Sequence, residues 1–382
     1  MTLIFWLSIA LIGFSYIVYP VVLFLVAKLF GSNNKIRVDD SNHQWPEVTV
    51  VIAAFNEEKE IRARVENLLS QDYPTDKLNI LIGSDGSTDE TNNILNSFEA
   101  ENFQPHIFNK NRGKATVLNN LVELVNTPYI VFSDANTHFE PNAIKQLVIH
   151  FDDAKVGAVC GELNLYNNDS NDNKDNTYWR YEQFLKENEG KLDALLGANG
   201  AIYSIKTELY TPIPENTIVD DFLIVMNVAK RKYKIIYDKK ALAHEEIAPS
   251  ITEETKRRVR IGTGNYQAFT KLLWALNPFI GWRFYTYFSH KVLRWFTPHL
   301  MLITFICNIL LLGTPLYNGL FSIQLIAYYL AYWGKKESDK GNKIPIPVAF
   351  LAFFVSMNAA LLKGFYKFAF KNVQGTWQRT SR

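Results

Sequence analysis

Leu78-Asn79-Ile80-Leu81-Ile82-Gly83-Ser84-Asp85-Gly86-Ser87-Thr88-Asp89 is the stretch that decides the fold, because it joins a short apolar run to an acidic turn. The same grammar returns at Tyr129-Ile130-Val131-Phe132-Ser133-Asp134-Ala135-Asn136. Runs of this length, rich in β-branched and aromatic residues, read as strands. Val48-Thr49-Val50-Val51-Ile52 is a third, nearly pure enough to be buried on both faces. Between the runs lie helical stretches around Ile61 to Ser70, Thr91 to Phe98 and Asn119 to Val125. Strands alternating with helices predict an α/β fold of right-handed βαβ units with a mostly parallel sheet. In such a sheet, ligands sit at the carboxyl ends of the strands, which is where both acidic clusters fall.

The chain has 382 residues and a formal net charge of +2, so there is no bulk electrostatic case for nucleic acid as a partner. It contains two cysteines, Cys160 and Cys307, too few for a disulfide framework. Cys160, after Val156-Gly157-Ala158-Val159, reads as a buried core thiol.

Leu3 to Ala27 is apolar throughout, with no charge before Lys28. That exceeds the ~20 residues a spanning helix needs. No basic residue precedes it, so it reads as a retained anchor over residues 1–30 rather than a cleaved signal. Lys28, Lys35 and Arg37 follow it, which predicts an outer N-terminus and a cytoplasmic domain over residues 46–276. The localisation expected is a multi-pass inner or plasma membrane protein.

Residues 277–382 are again membrane-like. Trp282 to Phe296, with Arg283, Lys291 and Arg294 among aromatics, reads as an interface helix. Thr297 to Leu312 and Leu316 to Trp333 are uncharged and apolar, with Thr314-Pro315 as a break. Pro345 to Leu362 ends in Lys363, Lys367 and Lys371. A crossing there would carry the basic tail outside, so a re-entrant or surface-lying segment is expected. The Asn/Asp-rich tract from Asn167 to Asn176 reads as a solvated loop.

Asp134 and Asn136 stand two residues apart at a strand end. Oxygen ligands so spaced can share a Mg²⁺ or Mn²⁺ whose shell is completed by pyrophosphate and water. The same residues also suit an Asx-type turn. Asp85 to Asp89 equally suits a turn with an N-cap for the Thr91 helix. Asp220-Asp221 opens the apolar run Phe222 to Val228, either as a cap or as a general base facing a cleft. Arg257-Arg258-Val259-Arg260 can fork onto phosphate oxygens, or form a basic patch facing lipid headgroups. His244 reads as a strand-end or loop histidine rather than a metal ligand.

Taken in order, these pieces resemble the family-2 glycosyltransferases of the membrane-bound, polysaccharide-synthase-like branch, over about Val48 to Gln267. The resemblance implies a GT-A fold, a nucleotide diphosphate sugar donor (UDP-sugar by expectation) and inversion of the anomeric centre. Ala53-Ala54-Phe55-Asn56-Glu57 matches the first-strand loop that cradles base and ribose. Asp85 matches the uridine-contacting aspartate. Gly113-Lys114-Ala115, with Leu118-Asn119, matches a basic stretch near the diphosphate. Asp134 and Asn136 fall on the Asp-x-Asp metal motif. Gly197-Ala198-Asn199-Gly200-Ala201 matches the turn bordering the acceptor. Asp220-Asp221 falls on a Glu-Asp pair, which makes Asp221 the catalytic base. Arg257 to Ile261 falls on Gln-x-x-Arg-Trp, which gives Arg257 and Arg260 to the donor side.

Asn136 replaces the second metal aspartate, Asp220 replaces Glu, Arg257 replaces Gln and Ile261 replaces Trp. The lost Trp weakens the case for long processive synthesis; Tyr266, Trp179 and Tyr178 are the aromatics available to stack on a sugar instead. The expected activity is sugar transfer to a growing cell-surface or exported polysaccharide. The alternatives are single-sugar transfer to a lipid carrier or headgroup, and a catalytically weak scaffold subunit. Partners implied are the donor, a glycan or lipid acceptor, the bilayer, and export or accessory subunits.

Overall fold

The computed structural model describes residues 1–32, 43–166, 174–246, 251–371 and 375. Two compact units emerge: one centred on residues 23–247 with 277–286, the other on residues 1–22, 248–276 and 287–373. The first contains an eight-stranded sheet. Its strands are β1 (Val48–Ala54), β2 (Leu78–Asp85), β3 (Phe103–Phe108), β4 (Tyr129–Asp134), β5 (His138–Phe139), β6 (Val156–Tyr166), β7 (Tyr203–Lys206) and β8 (Lys234–Glu246). Their order is β3-β2-β1-β4-β7-β6-β8-β5. The four strands from β3 to β4 are mutually parallel, and β6 pairs parallel with β8. β7 runs antiparallel between β4 and β6, and β5 antiparallel beside β8.

β1 is buried at every position, as its near-pure apolar run predicts. One face packs Val48, Val50 and Ile52 with Ile61, Val65 and Leu68 of the helix Ile61–Leu69. On the other face Val117 and Leu121, from the helix Lys114–Val122, lie against Gly83 of β2. That helix starts five residues before the expected Asn119. β3 was not anticipated; it holds Pro105 and takes the outermost place in the sheet, where a residue without an N–H is tolerated. Cys160 is fully buried on β6, as expected, and both cysteines are free.

Among the described residues, three helices are long and apolar enough to cross a membrane: Thr2–Phe30, Trp282–Leu310 and Ile346–Phe370. The expected break between an interface helix ending at Phe296 and a span starting at Thr297 is absent; the chain stays helical through both and accommodates Pro298. Two of its charges find partners within the protein, which removes the need for an interface. Arg283 donates to the carbonyls of Ala229 and Asp193, and Arg294 lies 5.2 Å from the Tyr16 ring centroid. The segment after Pro345 forms a 25-residue helix, longer than the stretch read as re-entrant. Leu316 to Trp333 falls within the helix Pro315–Asp339. The helix Ile251–Lys271 groups with these apolar helices rather than with the sheet. Lys35, Arg37 and most of the Asn/Asp-rich tract lie outside the described residues. The last three positions of that tract are helical, in Lys174–Lys191.

Candidate active site

Register brings the acidic turns together. Ala53 of β1 lies opposite Gly83 of β2 on one side and Asp134 of β4 on the other, and Ala54 lies opposite Ser84. Both clusters therefore emerge at the same edge as the Ala54–Glu57 loop. Asn56 takes a left-handed backbone, φ +55, a conformation short amides tolerate. Its backbone N–H donates to Ser87 Oγ at 3.0 Å, and its side-chain oxygen accepts from the Thr88 N–H at 2.8 Å. The Glu57 N–H donates to Thr91 Oγ1 at 2.8 Å. The two strand-end loops are thus stitched to each other by side chains, and each fixes the other's shape.

Asp85 is fully buried, and its two oxygens accept the backbone N–H groups of Arg112 and Gly113, each at 2.8 Å. Gly113, at φ +93, is the residue on which the next helix starts. Asp85 thereby fixes the start of the helix whose first residue is Lys114. The Lys114 ammonium reaches Asp134 Oδ1 at 2.7 Å and Asp220 Oδ2 at 3.2 Å. Burial works against that ammonium, but the charges of Asp134, Asp220 and Asp221 outweigh it and hold its pKa above the usual lysine range. Asn119, one turn on, is committed to structure: its amide bonds Tyr210 Oη and both backbone groups of Ile213.

Asp220 and Asp221 open the helix Asp220–Lys230, where the dipole favours carboxylates. Asp221 Oδ1 accepts the Phe222 N–H at 2.8 Å. Burial, reinforced by the neighbouring Asp220 charge and opposed by Lys114, pushes the Asp221 carboxyl up to about 6. Gly197 is left-handed at φ +73, and a Cβ there would stand 2.3 Å from the Phe222 ring. Gly200 is different. The three atoms nearest to a Cβ placed on it would be Asp221 Oδ2 at 3.4 Å, Asp134 Oδ2 at 3.5 Å and Asp221 Cγ at 3.6 Å. The two carboxylates therefore wall one hollow beside Gly200, with Lys114 bound to the other oxygen of Asp134.

Asn199 does not lie open toward that hollow. Its amide donates to the Gly161 carbonyl at 3.1 Å and accepts from the Lys186 ammonium. Asn136 carries a buried amide nitrogen with no hydrogen-bond partner. An amide's two ends are exchangeable in assignment, so an oxygen ligand fits that position. Among the described residues, no group of three or more His, Cys, Asp or Glu side chains is placed to hold a metal ion. The donor set of Asp134 and Asn136 thus fits a divalent cation that draws the rest of its shell from phosphate and water. His244 is a β8 residue bonded to Glu140 Oε1 at 2.8 Å, a strand histidine as expected.

Sequence reasoning missed Arg64. Its side chain is fully buried and donates to Ser133 Oγ and Asn67 Oδ1, each at 2.8 Å, over the Phe139 ring. Ser133 in turn donates to the Ala201 carbonyl at 2.6 Å, so Arg64 braces both β4 and the Gly200 turn from behind. Burial lowers its pKa to about 9, against the pull of Asp134. The signal was present: Ile61, Arg64, Val65 and Leu68 form one helical stripe, and a cation within it needs internal partners. Two aromatics proposed for sugar stacking are engaged elsewhere: Tyr266 is buried with its hydroxyl on the Trp295 carbonyl, and Trp179 donates to the Leu163 carbonyl. The side chain of Tyr178 lies outside the described residues. Arg257 and Arg260 belong to the other unit, on the helix Ile251–Lys271.

Residues 49–203, which hold β1, β2, β4, Asp85, Lys114, Asp134 and the Gly200 turn, match the model of glycosyl transferase family 2. The chain carries a family-2 glycosyltransferase domain. The poly-beta-1,6-N-acetyl-D-glucosamine synthase of Staphylococcus epidermidis is 25% identical over 250 residues, 63% of this chain and 60% of the synthase. The enzyme of the same name from Staphylococcus aureus strain COL is 24% identical over 265 residues, 67% of this chain and 63% of that protein. The chain thus aligns with about three fifths of the length of these curated relatives. The mannosyltransferase PcManGT from Pyrobaculum calidifontis, solved with GDP-Man and Mn²⁺, superposes with a TM-score of 0.73 at 19% identity. It covers 96% of this chain and 99% of its own. That likeness shows a shared fold, with a GT-A-like sheet domain.

Proposed function

We propose that this protein is an inverting, membrane-bound glycosyltransferase that moves a sugar from a nucleotide diphosphate sugar, UDP-linked by preference, onto a growing exported polysaccharide. The observation that carries the reading is the hollow beside Gly200, walled by Asp134 Oδ2 and Asp221 Oδ2. An inverting displacement needs a leaving-group site and a base within one sugar's reach of each other, and the hollow supplies both. The similarity to polysaccharide synthases supports the acceptor class.

Asp221 takes the proton of the acceptor hydroxyl as that oxygen attacks the anomeric carbon. A carboxyl lifted to about 6 is ionised at neutral pH yet more basic than an ordinary aspartate. Lys114 presents its ammonium to the departing diphosphate. Ala54, Asn56, Glu57 and Asp85 shape the nucleotide cradle, while Gly197, Asn199, Gly200 and Asp220 shape the acceptor side. Asp134 and Asn136 would hold Mg²⁺ or Mn²⁺, which when bound neutralises charge on the diphosphate. Positioning and electrostatics supply most of the rate, with the base adding roughly 10²–10⁴-fold. The transferase domain faces the cytoplasm in this reading.

Asp221→Asn is expected to abolish transfer from labelled donor in reconstituted membranes while nucleotide binding persists. Turnover at the wild-type rate in that variant would remove the base from Asp221. A second reading, transfer of one sugar to a lipid acceptor, is favoured by Ile261 at the position of the family's glycan-holding Trp and by the buried Tyr266. Product length on a gel separates the two: a ladder supports the polymer, and a single lipid-soluble product supports the second reading.

A further inference from the structure

The helices Ile251–Lys271 and Ile346–Phe370 touch backbone to backbone. A Cβ on Gly364 would lie 2.7 Å from both the Gly262 carbonyl carbon and the Thr263 nitrogen. Residues before Gly262 on one helix, and residues mostly beyond Gly364 on the other, line a cavity of about 430 Å³ where the helices part. Its floor is apolar, from Val259, Leu362 and the ring of Tyr366. Four lysines also line it: Lys256 on one helix, Lys363 and Lys367 on the other, and Lys371 at that helix's C-cap.

Lys363 and Lys367 stand four residues apart on one helix face, where like charges repel, and Lys371 follows as that helix's C-cap. No described carboxylate pairs with any of the four. Lys256 sits early in its own helix, where the helix dipole gives a cation no support. Repelling charges gathered from two helices around an apolar floor call for a ligand that is anionic at one end and apolar at the other. At the cavity, Tyr366 and Phe370 are exposed on a helix apolar enough to cross a membrane, so acyl chains border it. A small soluble anion would leave the apolar floor unused.

We infer that this cavity binds an anionic phospholipid, with its phosphate among Lys256, Lys363, Lys367 and Lys371 and an acyl chain against Val259, Leu362 and Tyr366. The site is separate from the transferase chemistry and stands or falls without it. Basic pockets between membrane helices have the chemistry to select anionic headgroups.

The test uses the purified full-length chain in nanodiscs of phosphatidylcholine mixed with phosphatidylglycerol, released into a native mass spectrometer. Phosphatidylglycerol should be retained over phosphatidylcholine by about tenfold, as expected for several lysines each contributing at the surface. The Lys363→Gln/Lys367→Gln/Lys371→Gln variant should erase that preference without changing the melting temperature. If the triple variant does not fold, Lys256→Gln, on the opposite helix, should still reduce the preference. Leu362→Trp, which fills the floor, should lower retention with every lysine intact. Inorganic phosphate should not displace the lipid. Equal retention of both lipids, a preference that survives the lysine substitutions, or ready displacement by inorganic phosphate overturns the inference.

Discussion

Two glycines in one turn should respond in opposite ways to the same added methyl. Gly200 is not among the residues with positive φ, and a Cβ there meets nothing closer than 3.4 Å. Gly200→Ala should therefore fold, with a stability gain of about 0.4–1 kcal/mol from the stiffer unfolded chain. All three of the nearest atoms, however, belong to the carboxylates of Asp134 and Asp221. The methyl would occupy the hollow between them, where the reacting groups must sit. Displacing a reacting atom by about 1 Å can cost ~10²-fold in rate, and a loss of that order is expected here. Gly197→Ala fails for another reason. Its φ of +73 costs about 1–2 kcal/mol for a side chain. The 2.3 Å approach to Phe222 adds about 1–3 kcal/mol of overpacking. Thermal unfolding and sugar-transfer rate, measured on the same purified samples, read both effects. A Gly200→Ala protein that is as active as wild type would mean the hollow is not where chemistry happens, and the assignment of Asp134 and Asp221 to one site would fall with it.

Other outcomes follow from the same geometry. Because the Asp221 carboxyl is raised to about 6, kcat/KM should climb with pH through 6 and level off above 7; a profile flat from pH 5 to 8 contradicts the base. The raised pKa also means that ionised Asp221 costs stability, absent below the unfolded-state value near 3.8 and fully present above 6. Asp221→Asn should therefore melt higher than wild type at pH 7.5, by up to about 3 kcal/mol, with no gain at pH 4; equal melting at both pH values would count against the burial argument. Arg64→Met removes the donors bonded to Ser133 and Asn67, and a destabilisation of about 1–3 kcal/mol is expected in denaturant titration. Arg64→Lys should recover only part of this, since an ammonium cannot reproduce the fork; full recovery would show that charge alone matters. Chelation should stop transfer, and Mn²⁺ or Mg²⁺ should restore it. Asn136→Asp, by adding a charge, should lower the metal concentration needed by at least ~tenfold, and an unchanged requirement would remove Asn136 from the metal shell.

The strands at the centre of the sheet were legible because they are buried on both faces, so Val48 to Ile52, Leu78 to Ile82 and Tyr129 to Phe132 had to be apolar runs. The acidic turns were legible because a carboxylate cannot continue such a run into the core. β3 was hidden because an edge strand need not be apolar: Gln104, Pro105 and His106 interrupt its pattern. The break expected near Thr297 was wrong because charge was read as contact with water, whereas Arg283 and Arg294 are partnered within the protein.

The sequence by itself determined the three central strands, which segments are apolar enough for a membrane, and that carboxylates end the strands at Asp85 and Asp134. Those are local properties, set by side-chain polarity and period. Only the tertiary structure decided which groups meet: that Asp85 spends its oxygens on Arg112 and Gly113, that Lys114 bridges Asp134 and Asp220, and that Gly200 leaves a hollow bounded by Asp134 and Asp221. Contacts between residues twenty to one hundred positions apart depend on strand order, register and rotamer together. No local pattern encodes that combination.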